Sequence, residues 1–361
     1  MSRKFNFNPG PSTLPLSVLE KVRDEFVDYK GKGFSLIEAS HRGKDYEDVH
    51  NTAITLMKSM LKLPDNYKVL FLGGGATFQF SMIPHNFLSK DKSCDFLVTG
   101  EWSKKAQADA KKLGKVNLVY DGAADKYTKL PSVSSLKFDS NAAYVHMTSN
   151  ETIHGNQWNE WPDTGKVPLI VDMSSDIMSR RIPVEKMAMI YAGAQKNLGP
   201  AGAAVVIIRD DMLTKCPDSV TAYLNYKLHA DNNSLYNTPP VFSIYVIKLV
   251  MEWLNEKGGL TAMEKEVDQK AANIYAAIDS SGGFYTCPVA KNCRSKMNVV
   301  YKLPNEELEK QFLDQATAQG MIGLKGHRAL GGCRASLYNA LPLEATVALA
   351  NFMNDFAKKH G

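Results

Sequence analysis

Cysteine is scarce in this chain: Cys94, Cys216, Cys287, Cys293 and Cys333 are all it has among 361 residues, and no two form a CxxC pair. An odd number without that spacing argues against both a disulfide framework and a zinc site, so the thiols read as reduced and no metal is expected. Long apolar runs are missing as well. Nothing approaches the roughly 20 residues that a bilayer span needs, and the opening "MSRKFNFNPGPSTLP" lacks the apolar stretch of a signal peptide. Nor is there a block of like charge, because 43 basic and 38 acidic residues are interspersed to a net charge of +5. Nucleic acid and membrane surfaces are therefore poor partners for it. The nucleotide fingerprints fail too: Gly73-Gly74-Gly75 is not followed by GK[ST], and position 78 is Phe where GxGxxG needs its third glycine. With no repeats or low-complexity tracts, the expectation is a cytoplasmic globular protein.

What is present alternates. Helical patterns "LSVLEKVRDEFVDYK" and "YEDVHNTAITLMKSMLKL" precede the strand "KVLFL", and "TFQFSMIPHNFL" is helical again. Further strands are read in "CDFLVTG", "KVNLVYD", "AAYVHMTS", "PLIVDMS", "AMIYAGA" and "AAVVIIR", most of them continuous apolar runs, as expected when both sheet faces are covered. The fold class that follows is α/β, with a mostly parallel central sheet and helices on both faces. After Pro239-Pro240 comes a long amphipathic helix, "VFSIYVIKLVMEWLNEKGG", and beyond it a smaller α+β pattern. The predicted division is an N-terminal segment 1–15 packing with the small domain, a large domain 16–257 and a small C-terminal domain 258–361.

In parallel α/β folds ligands gather at the carboxyl ends of strands, and there the chain collects chemistry. "VLFL" runs into three glycines, Ala76, Thr77 and a helix, which makes either a tight turn or a phosphate cradle at a helix N-terminus. Trp102 follows "DFLVTG", as a core residue or a stacking face. Thr152 follows "AYVHMT" with a hydroxyl for a cap or for a ligand. Asp172 ends "PLIVD", where a carboxylate is costly unless it caps a helix or meets a cation. Lys196, next to Gln195, stands 24 residues later at another strand end. Taken together, an amine, an anion, an aromatic face and a phosphate cradle are what pyridoxal 5'-phosphate requires.

A second set is basic. "SHRGKDYED" carries His41 and Arg42, and "LKGHRALGGCRASLYN" carries His327, Arg328 and Arg334. Arginine forks match carboxylate and phosphate oxygens, so the pattern points to a ligand with two anionic ends.

At this point "FNFNPGPSTLP", "FLGGGATFQF", "TSNETIHG", "VDMSSD", "YAGAQKNLGPAG", "YNTPP" and "GHRALGGCRASLYNA", in that order along nearly the whole chain, resemble the phosphoserine aminotransferase family, class V of the fold-type I pyridoxal phosphate-dependent aminotransferases. The resemblance implies that Lys196 carries the cofactor as a Schiff base and moves the substrate proton. Asp172 would pair with the pyridine nitrogen and Trp102 would stack on the ring. Ala76, Thr77, Thr152 and Gln195 would complete the pocket, with Asn237 and Thr238 reaching the cofactor phosphate from the other subunit of a homodimer. Arg334 would grip the substrate carboxylate, and His41, Arg42, His327 and Arg328 would surround its phosphate or second carboxylate. The implied substrates are L-glutamate and 3-phosphohydroxypyruvate, the products 2-oxoglutarate and O-phospho-L-serine. The N-terminal loop departs from the family: it reads Asn8-Pro9-Gly10-Pro11 where many members have serines, so no substrate-binding serine is carried over.

Other classes fit less well. A desulfurase would want a mobile cysteine in a glycine-rich loop, a binding protein on this scaffold would be expected to lose the lysine, and a reductase would need the missing glycine fingerprint.

Overall fold

A computed structural model describes residues 3–361; Met1 and Ser2 of the N-terminal segment lie outside the described residues. Its centre is a seven-stranded sheet in the order Tyr67–Gly73, Ala203–Arg209, Met189–Gly193, Leu169–Asp172, Val145–Thr148, Ser93–Val98, Lys115–Asp121. Six strands run parallel. Ala203–Arg209 is antiparallel to both of its neighbours. The link of residues 194–202 is too short for the dozen or so residues that a parallel crossover needs.

Alternation along the strands builds two cores. Val69, Phe71, Met147, Val171, Ala192 and Val205 face helices Lys44–Leu61 and Val241–Glu256. Leu70, Leu72, Phe96, Ile170, Tyr191 and Val206 face helices Gly75–Phe87 and Glu101–Ala110. The inner strands are thus largely apolar on both faces, which explains their unbroken hydrophobic sequences, whereas the edge strand Lys115–Asp121 has no buried residue.

Beyond Gly258, helices Gly259–Asp279, Glu306–Ala318 and Leu343–His360 pack with an antiparallel pair, Asn298–Tyr301 and Cys333–Ser336. Their core contains Ile274, Phe312, Phe352 and Phe356. The N-terminal strand Phe5–Asn6 pairs in parallel with Met321–Ile322, and Phe7 is buried in that same core. Helix Gly259–Asp279 spans both units, with Leu260 and Val267 in one core and Ile274 and Ile278 in the other.

Two expectations about helices need correction. The first helix ends at Glu25, not near Lys30. Side chains take over the backbone there: Asp28 accepts from Gly33 N–H at 2.7 Å, Ser35 donates to the Phe26 carbonyl, and Gly31 and Gly33 adopt positive φ. The helix Val241–Glu256 is not amphipathic in place. Ser243 through Met251 are all buried, because helices on more than one side cover it, and even Lys248 is paired, to Glu252 at 2.7 Å. Apolar side chains that do stand in solvent lie elsewhere: Leu16, Leu19, Phe26, Val27 and Ile37. Among the described residues no helix is long and apolar enough to cross a membrane, and no group of three or more His, Cys, Asp or Glu is placed to hold a metal.

Candidate active site

Register brings the site together. Thr148, Asp172 and Tyr191 stand side by side across three strands, so the carboxyl ends of those strands share one edge. The antiparallel strand begins on that edge too, with Ala203 opposite Gly73. A cavity of about 410 Å³ opens there, lined among others by Gly75, Ala76, Thr77, Trp102, Asp172 and Lys196, with Gln195 beside them.

Lys196 sits on a tight turn after Gly193, where Leu198 and Gly199 N–H both donate to the Ala194 carbonyl. Its Nζ donates to Thr152 Oγ1 at 2.6 Å and lies 5.3 Å from the centre of the Trp102 ring. The residue is 8% exposed. Burial lowers the amine to about 8; the nearby carboxylates Asp172 and Glu151 oppose this, and the Arg334 charge adds to it. The N-terminal loop lies on the lysine stem. A side chain at Gly10, whose φ is +134°, would meet Lys196 Cγ at 3.1 Å, and Ser12 N–H donates to the Gln195 carbonyl at 3.0 Å.

Asp172 is buried and its two nearest donors converge on one oxygen: Ser174 N–H at 2.9 Å and Ser174 Oγ at 2.6 Å both reach Oδ1. Burial raises the carboxyl above its usual range, while the Ser174 bonds and Lys196 hold it down. Ser174 is itself fixed, since its Oγ accepts from Gly193 N–H at 3.1 Å. Across the cavity, helix Gly75–Phe87 starts from Gly74 at φ +92° with no side-chain cap, so its first N–H groups face the lining.

The basic residues divide. Arg334, on strand Cys333–Ser336, is 5% exposed; its Nη1 donates to the Thr152 carbonyl at 3.4 Å and its buried Nε has no partner. With His327 and His154 it lines a second, smaller cavity of about 120 Å³. Arg328 stands exposed beside it. His41, Arg42, Asn237 and Thr238 do not line the Lys196 cavity. They cluster elsewhere on this chain, where Thr238 Oγ1 is 3.3 Å from His41 Nδ1 and Arg42 is exposed.

Several residues around the site were not singled out in the sequence. Ser174 was signalled only by the hydroxyl pair after Asp172. Gly10 was signalled by its Gly-Pro step. Glu151 and His154 carried no signal beyond their nearness to Thr152.

An uncapped helix N-terminus, a buried carboxylate with its second oxygen free of Ser174, an aromatic face and a lysine amine of lowered pKa fit pyridoxal phosphate at its phosphate, ring nitrogen, ring face and aldehyde respectively. Fold and cavity together therefore define a class, the fold-type I pyridoxal phosphate-dependent enzymes. The model of the aminotransferase class-V family matches residues 4–346. A phosphoserine aminotransferase of Geobacillus kaustophilus is 52% identical over 359 residues, covering 99% of each chain. Among solved structures, the phosphoserine aminotransferase of Bacillus circulans subsp. alkalophilus superposes with a TM-score of 0.98 at 48% identity, covering 99% of each chain. That of Trichomonas vaginalis, solved with pyridoxal phosphate bound, gives 0.92 at 38% identity, covering 97% of this chain and 99% of the other. The chain belongs to the class-V aminotransferases and, within them, to the phosphoserine aminotransferase family.

Proposed function

We propose that this chain transfers the amino group of L-glutamate to 3-phosphohydroxypyruvate in two half-reactions, yielding 2-oxoglutarate and O-phospho-L-serine, in the cytoplasm and reversibly. The observation that carries the reading is the placement of Lys196 Nζ, bonded to Thr152 and set over Trp102 in a cavity that Asp172 closes. Bound pyridoxal phosphate supplies an electron sink for the charge left when the substrate Cα loses its proton.

The chain's own groups do the rest. Lys196, its pKa lowered by burial to about 8, keeps a substantial neutral fraction near neutral pH, so its Nζ takes the Cα proton and returns it one step later. Thr152 Oγ1 orients that nitrogen. Ser174 fixes Asp172 so that its other oxygen is presented as an anion to the ring nitrogen position. Ala76, Thr77 and Gln195 line the phosphate end. Arg334, whose Nε lacks a partner among the described residues, binds the substrate carboxylate, and His327 and Arg328 take its second anionic end.

His41, Arg42, Asn237 and Thr238 serve the site of a second copy in a homodimer. Their absence from this chain's cavity lining and the exposure of Leu16, Leu19, Phe26, Val27 and Ile37 support that assignment. We read residues 1–15, 16–257 and 258–361 as the N-terminal segment, the large domain and the small domain; a separate core around Phe312, which Phe7 joins, supports the division, while the start of helix Gly259–Asp279, with Leu260 and Val267, packs in the core of the large domain. The five free cysteines accord with a reducing compartment.

The test is to incubate the holoenzyme with glutamate and 3-phosphohydroxypyruvate and follow O-phosphoserine by mass spectrometry. Steady formation is expected; amino transfer to other 2-oxo acids with none to this one would assign a different substrate.

A further inference from the structure

Helix Glu101–Ala110 carries Trp102 in its first turn, yet it starts from Gly100, a residue with no side chain to cap it. The orphan N–H groups of that turn are satisfied from elsewhere. Trp102 N–H donates to Glu151 Oε2 at 3.1 Å and Ser103 N–H to Glu151 Oε1 at 2.9 Å, while Ser103 Oγ adds a third bond at 2.6 Å. Glu151 is fully buried and acts as a cap supplied by a residue 49 positions away; burial raises its carboxyl to about 7, against the lowering effect of the bonds from Ser103 and Trp102, so the cap is only partly ionised near neutral pH.

Gly100 supplies the room. A Cβ there would lie 2.5 Å from Glu151 Cδ and 2.6 Å from Oε2. Its φ of 172° is extended backbone open to any residue, so the glycine is needed for the approach of the carboxylate rather than for its own conformation. On its other side Glu151 precedes Thr152, which receives Lys196 Nζ at 2.6 Å and whose carbonyl receives Arg334. The hairpin holding both is anchored to the same strand end, since Asn156 Nδ2 donates to the Thr99 carbonyl at 2.9 Å.

We propose that Glu151 is a positioning residue: by capping the helix that carries Trp102 while standing next to Thr152, it sets the aromatic face and the lysine's hydroxyl partner relative to each other. It does not line the Lys196 cavity, so it acts through Trp102 and Thr152. The proposal rests on the reading that Trp102 stacks on the cofactor ring.

The experiment compares Glu151→Gln, Gly100→Ala, the double variant Gly100→Ala/Glu151→Ala, Glu151→Ala and Trp102→Leu as holoenzymes. Readouts are the visible circular dichroism of the bound cofactor, kcat and KM of the glutamate half-reaction, and the thermal midpoint. Gly100→Ala and Glu151→Ala should each weaken the dichroism and lower kcat by roughly ten- to a hundredfold, with KM for glutamate nearly unchanged. Glu151→Gln, which keeps one acceptor, should fall between them and wild type. The double variant should be no worse than either single one, because clash and lost cap break the same contact. If Gly100→Ala does not fold, Glu151→Gln against Glu151→Ala carries the comparison. Additive losses, or unchanged dichroism and kcat in the Glu151 variants while Trp102→Leu loses both, would overturn the positioning role and leave the reading of the site intact. Were Trp102→Leu, which has no aromatic face, also without effect on both, the stacking reading would fail and this inference with it.

Discussion

Lys196 and Asp172 are 8% and 3% exposed, and each is fixed within one chain, Lys196 by a hydrogen bond donated to Thr152 and Asp172 by bonds accepted from Ser174. Arg42 and Arg328, by contrast, are exposed and form no ion pair among the described residues, and His41 bonds to Thr238, itself outside the Lys196 cavity. The difference separates two tasks. Proton transfer needs groups held at the reacting atoms before substrate arrives, since misplacement there is paid for in rate. Recognition of an anionic end can be completed by the ligand itself, or by a second subunit, because a guanidinium gains its partner only on binding.

The sharpest way to break this contrast is to remove the held amine. Lys196→Ala should slow amino transfer by about 10²- to 10⁴-fold or more, yet leave the thermal unfolding of the chain cooperative, because the cavity is already open on that side. Single-turnover conversion with glutamate measures it, and a variant that matches the wild-type rate would remove Lys196 from the chemistry. The same residue gives a pH signature. Burial disfavours its cation and lowers the amine to about 8 from an ordinary lysine value, so the neutral form prevails at lower pH than usual. Acylation of Lys196 in the cofactor-free protein, read by mass spectrometry across pH, should reach half its limiting rate near pH 8; a midpoint at the ordinary lysine value would contradict the burial argument.

Asp172→Asn tests the other held group. Without the anion, charge on the pyridine nitrogen is no longer stabilised, and proton abstraction should slow by about 10²- to 10³-fold with cofactor affinity changed much less. A substrate deuterium isotope effect and rate both equal to wild type would contradict this role.

On the exposed side the effects should be smaller and confined to affinity. Arg328→Leu should raise KM for O-phosphoserine by the loss of one charge-assisted bond, about 1.5 to 3 kcal/mol, and leave kcat nearly unchanged. Alanine, which has no second anionic end, is the control: an equal loss for both substrates would point to structural damage.

The same division decided what could be read beforehand. Asp172 and Lys196 were legible because apolar strands that end on a charged residue are conspicuous, and so was the layered α/β fold, because strands covered on both faces are written as unbroken apolar runs. The antiparallel placement of Ala203–Arg209 was in principle available from the nine-residue link before it. Glu151 was not legible: its partners are the backbone N–H groups of Trp102 and Ser103, 49 and 48 positions away, with the Ser103 hydroxyl beside them, and no side-chain pattern records where a backbone donor will be. For the same reason the first helix was read too long, since Asp28 and Ser35 divert the chain through bonds to backbone. The helix Val241–Glu256 was read as amphipathic because its neighbours in space, helix Lys44–Leu61 among them, are distant in sequence.

The least drastic experiment asks whether the exposed set belongs to another copy's site. A chain with Lys196→Ala and a chain with Arg42→Ala, each strongly impaired as a homodimer, are mixed and allowed to exchange subunits. If Arg42 acts across the interface, every heterodimer has one site combining the intact Lys196 of one chain with the intact Arg42 of the other, while the second site carries both lesions. Random exchange makes half of the dimers mixed, so activity should return to about a quarter of wild type. If Arg42 served its own chain's cavity, each site in the mixture would still carry one lesion and no recovery would follow. Exchange is verified by native mass spectrometry, and its occurrence without regained activity would mean that the buried cavity and the exposed arginine are not joined across subunits.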